Sequence, residues 1–138
     1  MHEIIAKTDQ PYKWALVSRA PLQTWSKGHA TLLGDACHPT LPFLAHGAIM
    51  ALEDAVVLAR CLDKYEDIPE ALHRYEAARV DRATKIVNGS NETGKRFHNR
   101  TLADPVAAVE FMEREWAPDK VRTRYDWLFE YDATSTSI

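Results

Sequence analysis

The chain has 138 residues, of which 46% are hydrophobic and 27% charged, and a formal net charge of −3. These values fit one ordinary domain with a hydrophobic core, and they argue against nucleic-acid binding and a membrane span. The N-terminus lacks a signal-peptide pattern, and Cys37 and Cys61 form no disulfide framework. We therefore expect a cytoplasmic protein with reduced thiols.

The first part of the chain predicts short elements. Residues 2–7 are typical of a short helix or a helix end. The apolar, partly alternating run 12–19 predicts a strand. Residues 25–28 predict a turn, and the short apolar run 29–33 predicts a buried strand that ends before Gly34.

From residue 47 onward the pattern is helical. Residues 47–63 predict one helix, and a second, longer helix begins near Pro69 and reaches at least Val87. Gly89 and Gly94 leave its far end open, because glycine weakens a helix interior. The predicted buried faces are Ala48, Leu52, Ala55, Ala59 and Leu62 on the first helix and Leu72, Tyr75, Arg79, Ala83 and Ile86 on the second.

The remainder predicts two shorter helices. Asp104 is typical of an N-cap for a helix over 106–116. Pro118 interrupts the pattern, residues 121–129 predict a last helix, and the polar tail 133–137 is expected to be loose. Since two or three short strands cannot form a self-sufficient sheet, we predict a mainly α unit whose sheet partners lie elsewhere.

One connection carries polar chemistry. Asp35 follows the strand that ends at Gly34, and a carboxylate just beyond a strand can accept hydrogen bonds from sugar hydroxyls. Gly47 and Ala48 open a helix, whose free N–H groups can approach an electron-rich oxygen. From spacing alone, an ordinary strand–loop–helix connection in which Asp35 caps backbone amides is favoured over a ligand site.

The residue string itself is more specific. It is G-D-A-x-H-P at 34–39 and G-A-x-M-A-L-E-D-A at 47–55, with a proline between them. This string resembles the second FAD-binding motif of the single-component flavoprotein aromatic hydroxylases, typified by the 4-hydroxybenzoate, salicylate and 3-hydroxybenzoate enzymes. The resemblance extends to residues 75–82 and to residues 127–132, which are similar to the close of the salicylate-type branch.

The resemblance implies the C-terminal part of an α/β FAD-binding fold. It divides residues 1–138 into an FAD-domain edge with short strands (1–34), the second FAD-binding motif with its helix (35–63) and C-terminal helices (69–132). It also implies FAD as cofactor, NADH or NADPH as co-substrate and a small aromatic or heteroaromatic hydroxy acid as substrate. The long helices are candidates for a homodimer interface.

The resemblance also assigns residue roles. Asp35 should hydrogen-bond the ribityl chain of FAD, and Pro39 should pass near the isoalloxazine. The backbone amides of residues 47–49 should face the pyrimidine edge of the flavin, where negative charge develops on reduction. The candidate cofactor-binding residues are Gly34, Asp35, Pro39, Gly47, Ala48 and Ile49.

His46 departs from the family pattern, in which glutamine often precedes Gly-Ala. We predict a catalytic role, since a histidine near the substrate ring could hydrogen-bond or deprotonate a ring hydroxyl, which would suit a hydroxynicotinate. The alternative is a histidine that caps the helix. Glu53 and Asp54 are expected to brace the helix against the loop, and Arg79 and Arg82 to form ion pairs with neighbouring helices.

Two other chemistries are disfavoured. Asp35, Cys37, His38 and His46 match no common zinc-ligand spacing, so no metal is predicted. Cys37 beside His38 does not suggest a thiol nucleophile, because adjacent loop residues seldom point at each other. His38 is expected to fix the loop through hydrogen bonds.

The chain has no Gly-x-Gly-x-x-Gly motif, which in this family grips the ADP half of FAD. We therefore expect an N-terminal FAD-binding portion to be missing, and the isolated chain to bind little FAD and show little activity. Two alternatives stay open. In the first, the chain is a non-catalytic helical interaction module. In the second, it is the complementing half of a split flavoenzyme.

Overall fold

The computed structural model describes residue 3 and residues 6–138, and most of these residues are helical. A short antiparallel hairpin pairs β1 (Ser26–Lys27) with β2 (Ala30–Thr31). The helices that follow are α1 (Gly47–Lys64), α2 (Ile68–Phe97), α3 (Pro105–Glu115) and α4 (Pro118–Phe129). Single 3-10 turns cover Gly34–Ala36, Pro42–Leu44 and Arg100–Ala103. The prediction of a mainly α fold with a few short strands is confirmed.

The strand predictions were wrong in detail. Residues 12–19 form no strand, and Trp14 is 82% exposed. Within 29–33, only Ala30–Thr31 pairs, and its partner Ser26–Lys27 lies in the predicted turn. Alternating apolar residues form a strand only where a neighbouring strand takes up their backbone hydrogen bonds, and the described part of the chain supplies none for residues 12–19. The helix predicted over residues 2–7 lies partly outside the described residues.

The bounds of α1 agree with the prediction to one residue, but its predicted buried face was wrong. All five residues of that face are exposed, and Leu52 is 68% exposed. The side that packs against α2 instead carries Met50, Asp54, Val57 and Cys61. Both stripes have helical spacing, so periodicity alone could not choose between them.

The predictions for α2 hold along its length. Every residue of its predicted buried face is buried, including Arg79. The Asp67 side chain caps the start by accepting a hydrogen bond from the Glu70 amide at 3.0 Å. The helix continues past Gly89 and Gly94 to Phe97.

The last two helices begin at prolines. Asp104 is the predicted N-cap of α3 and accepts a hydrogen bond from the Ala107 amide at 2.8 Å. Pro118, predicted as an interruption, is the first residue of α4, which suits a residue without an N–H group. The tail predicted to be loose is held in place, since Arg60 donates to the Ala133 carbonyl at 2.8 Å.

The hydrophobic core lies where α1 packs against α2. Trp25 extends it towards the hairpin and contacts the rings of Tyr75 and His38, with centroids 5.8 and 5.4 Å away. Through Trp25, the loop that contains His38 is packed against α2. No helix among the described residues is long and apolar enough to cross a membrane.

Candidate functional site

A pocket of about 660 Å³ lies between the Gly34–Ala36 turn and the start of α1. Four of the six candidate cofactor residues line it, namely Gly34, Asp35, Gly47 and Ala48. The other two, Pro39 and Ile49, are not among its lining residues; Pro39 is half-buried and Ile49 is 43% exposed. The structure thus brings the carboxylate and the helix start into one pocket.

Gly34 shapes the side of the pocket that carries Asp35. Its φ of +63° is the left-handed conformation that favours glycine. Its carbonyl accepts the amides of Cys37 and His38, both at 3.0 Å, which closes a tight turn. Asp35 is exposed on the outer side of this turn, so its carboxylate is open to a ligand.

The start of α1 forms the opposite side of the pocket. The first intrahelical bond runs from the Met50 amide to the His46 carbonyl at 2.8 Å. The amides of residues 47–49 precede this bond, and such amides, together with the helix dipole, attract anions and electron-rich oxygens. Since Gly47 and Ala48 carry small side chains, the backbone remains accessible from the pocket.

His46 lies beside this pocket rather than among its lining residues. Its Nδ1 donates to the Leu44 carbonyl at 2.6 Å, and its ring meets that of Phe129 edge-on at 5.8 Å. Because a carbonyl can only accept, Nδ1 carries a proton, and in a neutral imidazole Nε2 is then an acceptor. The side chain makes no hydrogen bond that caps α1, which disfavours the capping alternative.

A buried carboxylate lies directly behind the pocket. Asp54 is fully buried, and its Oδ2 accepts from the Gly34 amide at 3.1 Å and from His38 Nε2 at 2.5 Å. Its Oδ1 accepts from Arg79 Nε at 2.8 Å. The expectation that Glu53 and Asp54 brace α1 against the loop is met for Asp54 alone, since Glu53 pairs with arginines of α2. The expectation that His38 fixes the loop is also met.

The charged network continues away from the pocket through Glu53. Its carboxylate accepts from Arg79 Nη2 at 2.7 Å and from Arg82 at 2.7 and 2.8 Å. Arg82 in turn donates to the carbonyls of Trp127 and Leu128 at the end of α4. Both arginines thus form the expected ion pairs, and they connect α1 and α2 to the last helix.

This environment controls the charges of the network. Burial disfavours a charged imidazole, but the hydrogen bonds to Asp54 and Cys37 and the negative charge of Asp54 together outweigh it and raise the pKa of His38 to about 9. Burial likewise opposes ionisation of Asp54, yet His38 and Arg79 hold its pKa below the usual range. At neutral pH, His38 is therefore a buried cation paired with a buried carboxylate.

Part of the charged network has a signal in the sequence. Arg79 falls within an apolar stripe of α2, and Asp54 falls between Met50 and Val57 on α1. Charged residues on buried stripes are rare unless they are paired, so the two positions point to each other. The further link through Arg82 to two backbone carbonyls had no sequence signal.

The possible metal ligands form a different set from the one weighed in the sequence. Cys37, His38 and Asp54 place potential ligand atoms within 4.8 Å of one another. Asp35 is outside this group and exposed. The Asp54 carboxylate already pairs with Arg79 and His38, so its charge is balanced by protein cations. Hydrogen bonds within the loop and between the loop and Asp54 therefore account for the closeness of these three side chains.

Comparison with known proteins gives a family for most of the chain. The sequence model of a family described as an FAD binding domain matches residues 2–90. This range includes the hairpin, the pocket, α1 and most of α2.

Named relatives and a solved structure agree with that match. The chain is 36% identical to a 3-hydroxybenzoate 6-hydroxylase of Polaromonas naphthalenivorans over 87% of its own length and 30% of the relative's. It is 45% identical to a 6-hydroxynicotinate 3-monooxygenase of Pseudomonas fluorescens over 64% of its length and 24% of the relative's. A salicylate hydroxylase solved with its substrate matches 87% of the chain with a TM-score of 0.69 and 35% identity, and the match covers 29% of that protein. The chain thus spans less than a third of each of these proteins.

Proposed function

Because the chain belongs to the FAD binding domain family, we propose that it is the part of an aromatic hydroxylase that holds the ribityl chain and the isoalloxazine of FAD. The observation that carries the proposal is that an exposed carboxylate, Asp35, and the free amides at Gly47 and Ala48 line one pocket. This donor and acceptor set fits the two halves of a flavin, since the ribityl hydroxyls donate and the ring carbonyls accept.

Asp35 is proposed to accept hydrogen bonds from the ribityl hydroxyls. A hydrogen bond to an ionised group contributes about 1.5–3 kcal/mol, which makes this contact a large share of the affinity at this side of the pocket. Gly34 lets the turn approach the ligand. Pro39 is proposed to restrict the conformation of the loop where it passes near the isoalloxazine.

The amides of residues 47–49 are proposed to face the pyrimidine edge of the isoalloxazine. Flavin supplies the redox chemistry when it is bound. The start of α1 offers fixed N–H donors and the positive end of a helix dipole, and both favour negative charge on a neighbouring oxygen. These donors need no reorganisation, because α1 is anchored from behind by Glu53 and Asp54.

His46 is the proposed catalytic residue. Its Nδ1 is engaged with Leu44, so Nε2 is the atom that would accept a proton from a ring hydroxyl. The names of the relatives support a small aromatic or heteroaromatic hydroxy acid as substrate, and hydroxybenzoates, salicylate and hydroxynicotinate are the candidates. We further propose NADH or NADPH and O2 as co-substrates. A cytoplasmic location and a homodimer stay predictions.

We propose that the isolated chain is nearly inactive and that its activity requires the rest of the hydroxylase fold. The outer face of α1 supports this, since it exposes apolar residues such as Leu52 and Val56. Tyr12, Trp14 and Val17 are exposed in the same way on a segment that forms no strand with any described residue. The same exposure favours one alternative, in which the chain is the complementing half of a split flavoenzyme.

Two FAD titrations test the proposal. The isolated chain, followed by flavin fluorescence, is expected to show weak binding, and tight stoichiometric binding would contradict near-inactivity. The chain joined to the portion of the 3-hydroxybenzoate 6-hydroxylase that it does not match is expected to bind FAD. In that fusion, Asp35→Asn should weaken binding by about tenfold or more, whereas the exposed Asp63→Asn should not. Equal affinity of the two variants would refute the role of Asp35.

A further inference from the structure

We propose that His38 and Asp54 are positioning residues that lock the Gly34–His38 turn and thereby fix Asp35 in the pocket. The role in holding Asp35 for a ligand rests on the proposed function, whereas the lock itself rests on geometry alone.

A single oxygen atom closes both ends of the turn. Asp54 Oδ2 accepts the amide of Gly34, the first residue of the turn, at 3.1 Å. The same oxygen accepts Nε2 of His38, the last residue, at 2.5 Å. Within the turn, the Gly34 carbonyl accepts the amides of Cys37 and His38. The backbone on both sides of Asp35 is therefore tied to one point on α1.

That point is itself immobilised. Arg79 Nε binds the other oxygen of Asp54 at 2.8 Å, and both side chains are fully buried. Arg79 also binds Glu53, whose second partner Arg82 is held by the carbonyls of Trp127 and Leu128. Since both oxygens of Asp54 are engaged, the carboxylate cannot rotate without breaking buried charged hydrogen bonds.

Asp35 depends on the turn because its own side chain is not held, and besides the lock the turn has one further tie, from Arg19 to the Ala36 carbonyl. Among the described residues, its carboxylate has no hydrogen-bond or ion-pair partner. Its position is set by the backbone of the turn alone. Loss of either tie would leave an exposed side chain on an open loop, and a ligand would then have to order that loop on binding.

Two cysteines allow the lock to be measured directly. Cys37 lies inside the turn, and its Sγ donates to the Gly34 carbonyl at 3.3 Å. Cys61 lies on α1, away from the turn. Both are free and 0% exposed. Opening of the turn should expose only Cys37, whereas a general loss of stability should expose both thiols.

The test is the rate at which each thiol of the intact chain reacts with an aromatic disulfide reagent, with Cys37→Ser and Cys61→Ser used to assign the signals. His38→Leu should accelerate Cys37 about tenfold more than it accelerates Cys61, the equivalent of one lost hydrogen bond, because Cys61 reports only the general loss of stability. His38→Gln should restore protection, because its amide nitrogen donates from a position close to Nε2. A parallel acceleration of both thiols, or an unchanged Cys37, would overturn the lock.

Two further measurements keep the outcome decisive. In the unmodified chain, the Gly34 amide should exchange with deuterium as slowly as that of Val57 in α1, and exchange at the rate of an exposed amide would overturn the lock even if the variants fail to fold. In the fusion described above, His38→Leu should weaken FAD binding as Asp35→Asn does. If the turn opens but Asp35→Asn leaves FAD affinity unchanged, the lock stands and the proposed function fails.

Discussion

Two clusters of charged side chains hold the chain, and they differ in depth. In the first, the side chains of Asp54 and Arg79 are fully buried. In the second, Glu115 at the end of α3 is 19% exposed and accepts from Arg124 at 3.1 Å and from Lys120 at 3.4 Å. Each carboxylate is shared by more than one cation, so number of partners does not distinguish the two clusters. Access to water does.

The difference follows the packing of the helices. α1 and α2 bury residues along their whole length, whereas Phe111 is the buried residue of α3 and Leu128 that of α4. A buried ion pair cannot exchange its partner for water, so removal of one member leaves an uncompensated charge. An exposed pair can make that exchange at little cost. The Asp54 cluster therefore determines whether the pocket forms. The Glu115 cluster affects only the contact between the last two helices.

The largest effect is expected from Asp54→Asn. This change keeps the size of the side chain but leaves Arg79 buried beside a neutral group, and it should reduce the free energy of unfolding by about 3–5 kcal/mol. Denaturant unfolding followed by circular dichroism measures this. The matched control is Glu115→Gln, which should leave the unfolding midpoint almost unchanged. Equal losses in the two variants would remove the distinction between the clusters.

The second prediction concerns pH. The pKa of His38 rises from an ordinary value of 6.5 to about 9 on folding. The stability that the proton confers is therefore complete below pH 6.5 and is lost as the pH rises to about 9, a change of roughly 3 kcal/mol. At the acid end, the pKa values of Asp54 and Glu53 are lowered, so their contribution is present above the usual carboxyl range and is lost as the pH falls through the folded values.

His38→Gln supplies the control for the alkaline part of the curve. Burial also raises the pKa of Cys61, so part of any loss above pH 8 belongs to that thiol in both proteins. Subtracting the two stability curves isolates the histidine. Parallel curves between pH 6.5 and 9 would show that His38 carries no extra proton in the folded chain.

Local sequence patterns predicted the helices that carry both clusters, because helix formation depends on residues close in sequence. Asp104 caps α3 through an amide three residues away, and the buried stripe of α2 repeats at helical spacing. The prediction of a strand over 12–19 was wrong because a strand depends on partners elsewhere in the fold. The face of α1 failed because the helix carries two apolar stripes, and only the packing against α2 chooses between them.

The candidate site was predictable to the same extent. The residue string placed Asp35 and Gly47 at the two ends of one loop, and the structure puts both in one pocket. The surroundings of His46 were not predictable, since its ring meets Phe129 from the other end of the chain. Local sequence thus located the pocket, while long-range packing determined which side chains face it.

The smallest effect is expected between the Asp54 cluster and the Glu115 cluster, where Gly94 lies in the last turns of α2. A Cβ at Gly94 would lie 2.7 Å from two ring atoms of Phe43, which is wedged between Phe97 and His98 with centroids at 5.9 and 5.6 Å. Gly94→Ala should therefore lower the free energy of unfolding by about 1–2 kcal/mol, because the crowding exceeds the gain in helix propensity.

Gly89→Ala is the control for that prediction, on the same helix. A Cβ there would lie 3.2 Å from Cδ1 of Leu44, a flexible chain end that can shift, so the change should be neutral or stabilise by about 0.5 kcal/mol. Phe43→Leu should relieve the crowding in Gly94→Ala, and a double-mutant cycle would measure the coupling. If both alanine variants change stability in the same direction, the contact between Gly94 and Phe43 does not limit the packing at this end of α2. The two clusters are then connected only through the helix itself.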